Sequence, residues 1–219
     1  MEAPITPSSQ DRNRPWDLLA FAGFAGLAAL ALRLWPALPD PLPTHWGLRG
    51  NVDGWTSKSA VPWLMFGLPA FVWLLLLGVG RFAVPKDPAL ARLQRRAMAP
   101  LRGFLVLAIC VLQSGVLLVP MGGPGTLRVV LLAFFALLAA GIAIMARGIQ
   151  RDLPAEHRAL YKWGLFYVNP EDPRLMVPKL LGLGWTFNYA RASAWWITGL
   201  LVGLPLAAVA FALLARAAR

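Results

Sequence analysis

Five stretches of this chain are too long and too apolar for the surface of a soluble domain: Leu18–Leu34, Ala60–Gly80, Gly103–Val119, Val129–Ala146 and Ala194–Leu214. A run of about 18 such residues reaches across the hydrocarbon core as a helix. Lipid offers the backbone no hydrogen-bond partner, so the runs must satisfy their own amides. They fold as helices, because barrel strands would alternate polar with apolar residues. Composition agrees. The 219 residues are 58% hydrophobic and 14% charged, against about half and about a quarter in soluble domains. The expected fold class is an all-α membrane protein with five transmembrane helices. The first run reads as a retained span rather than a signal peptide. A polar stretch precedes it, and Leu34, Trp35 and Pro36 follow where a cleavage site would need small residues.

The net charge is +11. Its placement explains it without nucleic acid. If the N-terminus is inside, fifteen of the 21 Lys and Arg residues fall in inner segments and five in outer ones, with Arg33 at the end of the first run. That bias predicts an N-in/C-out topology. The organisation follows: a cytoplasmic segment 1–17; helices one and two over 18–80 with an outer loop 36–59; a basic cytoplasmic loop 81–102; helices three and four over 103–146; a cytoplasmic segment 147–193; and helix five with the C-terminus over 194–219. The basic loop, with Arg92, Arg95 and Arg96, is expected to be a short interfacial helix on anionic lipid.

Arg33 apart, the runs hold no Asp, Glu, Lys, Arg or His between their ends. Ion-coupled transport, proton relay and intramembrane proteolysis need ionisable groups at depth, so these classes are disfavoured. Gln113, Ser114 and Thr198 are expected to bond between helices. The pairs Ala22/Gly26 and Gly199/Gly203 are expected at close helix approaches. Pro69 and Pro205 should kink their helices. Trp16, Trp35, Trp63, Trp195 and Trp196 fall at span ends as an aromatic belt does, while deep-lying Trp73 reads as packing. The one cysteine, Cys110, lies inside the third run, so an intrachain disulfide is impossible.

The outer loop is punctuated like a small structure. Pro36, Pro39, Pro41 and Pro43 stiffen its start. Thr44-His45-Trp46 reads as a short strand, and Gly47, Gly50-Asn51 and Asp53-Gly54 are turn formers. A compact hairpin over the outer helix ends is expected. His45, Trp46, Asp53 and Trp55 are its candidate binding residues. Three readings of His45 and Asp53 stand side by side. They could ligate a metal with Asp40, although one histidine and no cysteine is a thin ligand set. They could be structural, His45 bonding loop backbone and Asp53 closing an Asx-turn with Gly54. Or His45 could contact a partner or sense pH. The expectation is no metal and no cofactor.

In the inner segment, Pro154–Trp163 reads as a short interfacial helix. Leu165–Val168 and Leu175–Val177 read as two strands around the turn Asn169-Pro170-Glu171-Asp172-Pro173. Glu171 and Asp172 are adjacent and point to opposite faces, which argues against paired-carboxylate chemistry. Gly182-Leu183-Gly184 is a weak match to a phosphate loop, lacking its third glycine. The candidate binding residues here are Asn169, Asp172, Arg174, Lys179, Trp185 and Asn188.

The outer stretch PDPLPTHWGLRGNVDGWTSK resembles the signature of an uncharacterised bacterial membrane domain that also forms the N-terminal part of SdpI-type peptide-toxin immunity proteins. Pro39, Pro43, His45, Trp46, Gly50, Asp53, Gly54 and Lys58 carry the likeness. The stretch FYVNPEDPRLMVPKLLGLGWTFNYAR is similar to a second uncharacterised bacterial domain through Asn169, Pro170, Asp172, Pro173, Arg174, Val177, Pro178, Lys179, Gly182, Gly184, Thr186 and Asn188. The resemblances imply a multi-pass bacterial inner-membrane protein. The leading expectation is a non-enzymatic protein in the lipid bilayer whose outer loop meets an extracytoplasmic peptide or membrane protein partner. The alternatives are an accessory or assembly subunit of a hetero-oligomeric membrane complex, and an outer-surface metal-dependent enzyme.

Overall fold

The computed structural model describes residues 9–47, 51–83, 85–122, 124–163, 165–181 and 184–217. In chain order these form α1 (Ser9–Leu34), β1 (Leu42–Trp46), β2 (Val52–Thr56), α2 (Val61–Phe82), α3 (Pro88–Gly122), α4 (Pro124–Asp152), the single turn α5 (Ala155–Arg158), β3 (Tyr161–Lys162), β4 (Phe166–Tyr167), β5 (Met176–Pro178), β6 (Trp185–Phe187) and α6 (Ala192–Ala217). Among the described residues four helices are long and apolar enough to cross a membrane, α1 to α4. Where the fifth span is expected there is a 26-residue helix, α6. Its described apolar stretch is Ala192–Pro205, and most side chains beyond that lie outside the described residues.

The bundle is organised around α3, which packs against α1, α2 and α4. Half of its most apolar window is buried, against 17% in each of the other three. Small residues make this possible. A Cβ on Gly103 would sit 2.5 Å from the Trp16 carbonyl oxygen of α1. The expected close-approach glycines are not the ones used: Gly26, Gly199 and Gly203 would each meet nothing within 4 Å. Polar side chains also tie the helices. Pro69 cannot donate to the Met65 carbonyl one turn back, and beside that gap the Gln113 amide donates to Leu64 O at 2.8 Å. Buried Gln94 donates to Ala83 O at 2.5 Å, satisfying the carbonyl end of α2. Ser114 and Thr198, by contrast, bridge no helices among the described residues. Ser114 bonds Val111 O in its own helix, and Thr198 meets the Tyr189 hydroxyl.

Three expectations for the polar segments need correction. The basic stretch Arg92–Arg96 is not a separate interfacial helix but the opening turns of α3. Ala, Leu, Gln, Arg and Met favour helix there, and Leu90, Leu93 and Ala97 bury one face. Pro154–Trp163 holds only α5 before the chain turns into β3. The two strands expected to flank Asn169–Pro173 do not pair with each other. β3 pairs with β4 and β5 with β6, and the turn cluster joins the two hairpins.

Two hydrophobic clusters occupy opposite ends of α3. One gathers Ala20, Leu27, Val61, Met65, Val116 and Leu117, sealed by Leu38 and Leu42 of the first hairpin. The other gathers Leu90, Leu93, Met145, Ile149 and Leu153, sealed by Tyr161, Tyr167 and Val177 of the β3–β6 unit. Each polar motif is therefore the lid of one end of the bundle. At the second end a charge is buried: Arg102, only 6% exposed, donates through Nε at 3.0 Å and Nη2 at 2.5 Å to Asp17 Oδ1 of α1.

Candidate functional site

The first hairpin brings His45 and Asp53 together. β1 and β2 pair Leu42 with Thr56 and Pro43 with Trp55, then His45 with Gly54 and Trp46 with Val52. Counting along the ladder, Thr44 is an extra residue on β1 and Asp53 one on β2, so each strand carries a bulge. Bulges re-aim side chains. Here they turn the imidazole and the carboxylate toward each other, with Nδ1 and Oδ1 2.5 Å apart. Two glycines leave the room. A Cβ at Gly54 would lie 2.7 Å from His45 Cβ, and one at Gly47 would lie 2.7 Å from Asp53 Oδ2.

Among the described residues the ring of His45 bonds the Asp53 carboxylate and not loop backbone. The contact orients the ring, with Nδ1 toward the carboxylate and Nε2 on the opposite edge. The His45 side chain is 73% exposed. Trp55 is 59% exposed, while Trp46 is half-buried. Asp40 does not approach the pair. Its Oδ1 accepts from Lys58 N at 3.0 Å, and Lys58 Nζ donates to Leu38 O at 3.0 Å and sits 5.3 Å from the centre of the Trp35 ring. Asp40 and Lys58 are braces for the base of the hairpin, and a Thr44–Thr56 hydroxyl contact of 3.0 Å holds its middle. Among the described residues no three of His, Cys, Asp and Glu gather as metal ligands would. The expected Gly50 turn lies outside the described residues.

Four of the candidates in the second motif, Asn169, Asp172, Arg174 and Asn188, form a polar knot. Asn188 is fully buried; its Oδ1 accepts from Asn169 N at 3.0 Å and its Nδ2 donates to Asn169 O at 2.8 Å and Asp172 O at 3.0 Å. Arg174 grips Asp172 with Nε on Oδ1 at 2.9 Å and Nη2 on Oδ2 at 2.7 Å, and the Tyr167 hydroxyl donates to the same Oδ2 at 3.2 Å. Arg174's guanidinium first, then its backbone amide, hold the Asp172 carboxyl well below the usual carboxylate range, against the opposing effect of burial. Arg191 donates to Asp172 O at 2.6 Å and Pro170 O at 3.1 Å. Tyr167 and Arg191 were not among the candidates, although both sit within the matching motif. Their hydrogen-bonding ends were the available signal. Lys179 and Trp185 stand outside the knot with exposed side chains. Of the glycine loop, Gly182 and Leu183 lie outside the described residues.

Among the described residues the knot's polar groups bond largely to one another, whereas the first hairpin presents an exposed, oriented ring. Residues 22–72 are similar to a domain of unknown function, DUF1648. Residues 170–195 are similar to a family of unknown function, DUF5808. No curated protein and no solved structure matches the chain. The first match contains the whole His45–Asp53 hairpin with the adjoining parts of α1 and α2, and the second contains most of the knot.

Proposed function

We propose that the chain is a non-enzymatic bacterial inner-membrane protein that recognises an extracytoplasmic peptide or partner protein through the His45–Asp53 hairpin, in the manner of SdpI-type immunity proteins. The topology of this reading is five spans, N-in and C-out, with the hairpin outside and the β3–β6 unit in the cytoplasm. The observation that carries it is the exposed, carboxylate-oriented imidazole on a hairpin braced at its base by Asp40 and Lys58. Exposed Trp55 adds an apolar contact beside a hydrogen-bonding one, the pairing a peptide needs. The DUF1648 similarity over the same residues is in keeping with it. Cells expressing the protein are challenged with a panel of membrane-active peptides. Protection against at least one, lost in His45→Ala at equal membrane abundance, is the expected result. Survival no different from cells without the protein overturns the immunity version.

A second reading, an accessory subunit of a larger complex, draws on one observation: Gly199 and Gly203 of α6 face open space, as a helix interface awaiting its partner would. Purification in gentle detergent tests it. A lone monomer counts against it, and a stoichiometric companion lost in Gly203→Leu supports it.

A further inference from the structure

At the end of the bundle opposite the first hairpin, α3, α4 and the start of α1 enclose an open cleft of about 440 Å³. Its floor is apolar, from Leu93, Ala97 and Met145. Its rim is charged, from Arg96, Arg147 and Arg151 with one carboxylate, Asp152. Three cations against one anion leave two positive charges. Arg151 is held by Asp152 at 2.8 Å, but Arg96 reaches that carboxylate only at 3.9 Å. The Nε of Arg96 is buried with no hydrogen-bond partner among the described residues. Arg147 is exposed and makes no ion pair among them.

The height of the cleft matters as much as its charge. Arg147 follows directly on the apolar run that ends at Ala146, Trp16 precedes the run that starts at Leu18, and Arg96 lies two turns before Gly103. The cleft thus straddles the level where apolar exterior gives way to charge, which in a membrane is the headgroup layer. An apolar floor open toward the spans and a cationic rim facing water match one class of molecule. We propose that this cleft holds an anionic glycerophospholipid, its phosphate between Arg96 and Arg147 and the start of an acyl chain on Leu93 and Met145. Basic pockets between transmembrane helices bind such headgroups, and the specificity here comes from the rim's surplus of guanidinium charge, which a zwitterionic headgroup would meet with its own cation close by.

Native mass spectrometry of the full chain in detergent, titrated with phosphatidylglycerol, phosphatidylcholine or inorganic phosphate, tests this. Phosphatidylglycerol should bind at least about tenfold tighter than phosphatidylcholine. Arg96→Gln and Arg147→Gln should each weaken it about fivefold. Arg92→Gln, exposed on the same helix but outside the cleft, should not. Gly148→Trp is the second handle: Gly148 lines the cleft and a Cβ there meets nothing within 4 Å, so phosphatidylglycerol binding should vanish while helix content is kept. Equal binding of the two lipids, equal losses in Arg92→Gln and Arg96→Gln, or binding that survives Gly148→Trp each overturns the proposal. Displacement of phosphatidylglycerol by millimolar inorganic phosphate overturns it in favour of a free-anion site.

Discussion

At the scale of single residues, the candidate site depends on atoms that are missing. Gly54→Ala places a methyl group 2.7 Å from His45 Cβ, so the two side chains must separate. The hairpin should still form, because its braces at Asp40 and Lys58 are untouched. We expect Gly54→Ala to reproduce the loss of function of His45→Ala in the peptide-challenge assay, while Ser59→Ala does not. Arg102 is the other residue whose surroundings decide its role. Removing its partner in Asp17→Asn strands a guanidinium that is 6% exposed. Breaking such a pair costs about 3–5 kcal/mol, and the lower end applies because Asp17 keeps a third of its side chain in contact with solvent. Thermal unfolding in detergent should show it, and an Asp17→Asn/Arg102→Leu double variant should recover much of the loss.

At the scale of elements, the two lids are held by different physics. The first hairpin is seated by Leu42, which is fully buried between α2 and α3. Leu42→Ala should cost about 2–5 kcal/mol and loosen the hairpin, seen as protease cleavage within it before global unfolding. The β3–β6 unit is held by the polar knot and therefore responds to pH. The Asp172 carboxyl is lowered in the fold, so it stabilises above its unfolded value near pH 4 and loses that contribution as pH falls through the folded one. The melting temperature of Asp172→Asn should lie below that of the parent at pH 7, with the gap closing as the pH drops below about 4. Legibility in the sequence followed the same division. Long apolar runs declare their helices, so α1 to α4 could be read directly. The first half of α3 could not, because charge and Pro100 masked a helix whose Leu90, Leu93 and Ala97 spacing was the available clue. The hairpin was legible from its turn residues. The meeting of His45 and Asp53 was not, since strand alternation alone does not join positions 45 and 53; two bulges do. Asn188 gave no sign that it would be the fully buried centre of a knot.

For the whole molecule, α3 is a strut of 35 residues, about 50 Å long, with one lid at each end. If it crosses the bilayer, the lids face opposite compartments. Cys110 is buried and is the only cysteine, so single reporters are simple to place on the exposed Trp55 and Trp185. A membrane-impermeant thiol reagent should label Trp55→Cys in intact cells and Trp185→Cys only after permeabilisation, and labelling of both from one side would refute the arrangement. The strut also imposes a timetable on synthesis. The first lid can close as soon as Val116 and Leu117 have emerged to meet Leu42. The flank of α3 at Leu90 and Leu93 waits for Tyr161, Tyr167 and Val177. Over that interval the nascent chain holds one finished end and one uncovered end, so the stretch from α4 to β5 is where a membrane chaperone would find its client, and where a truncated product would be marked for degradation.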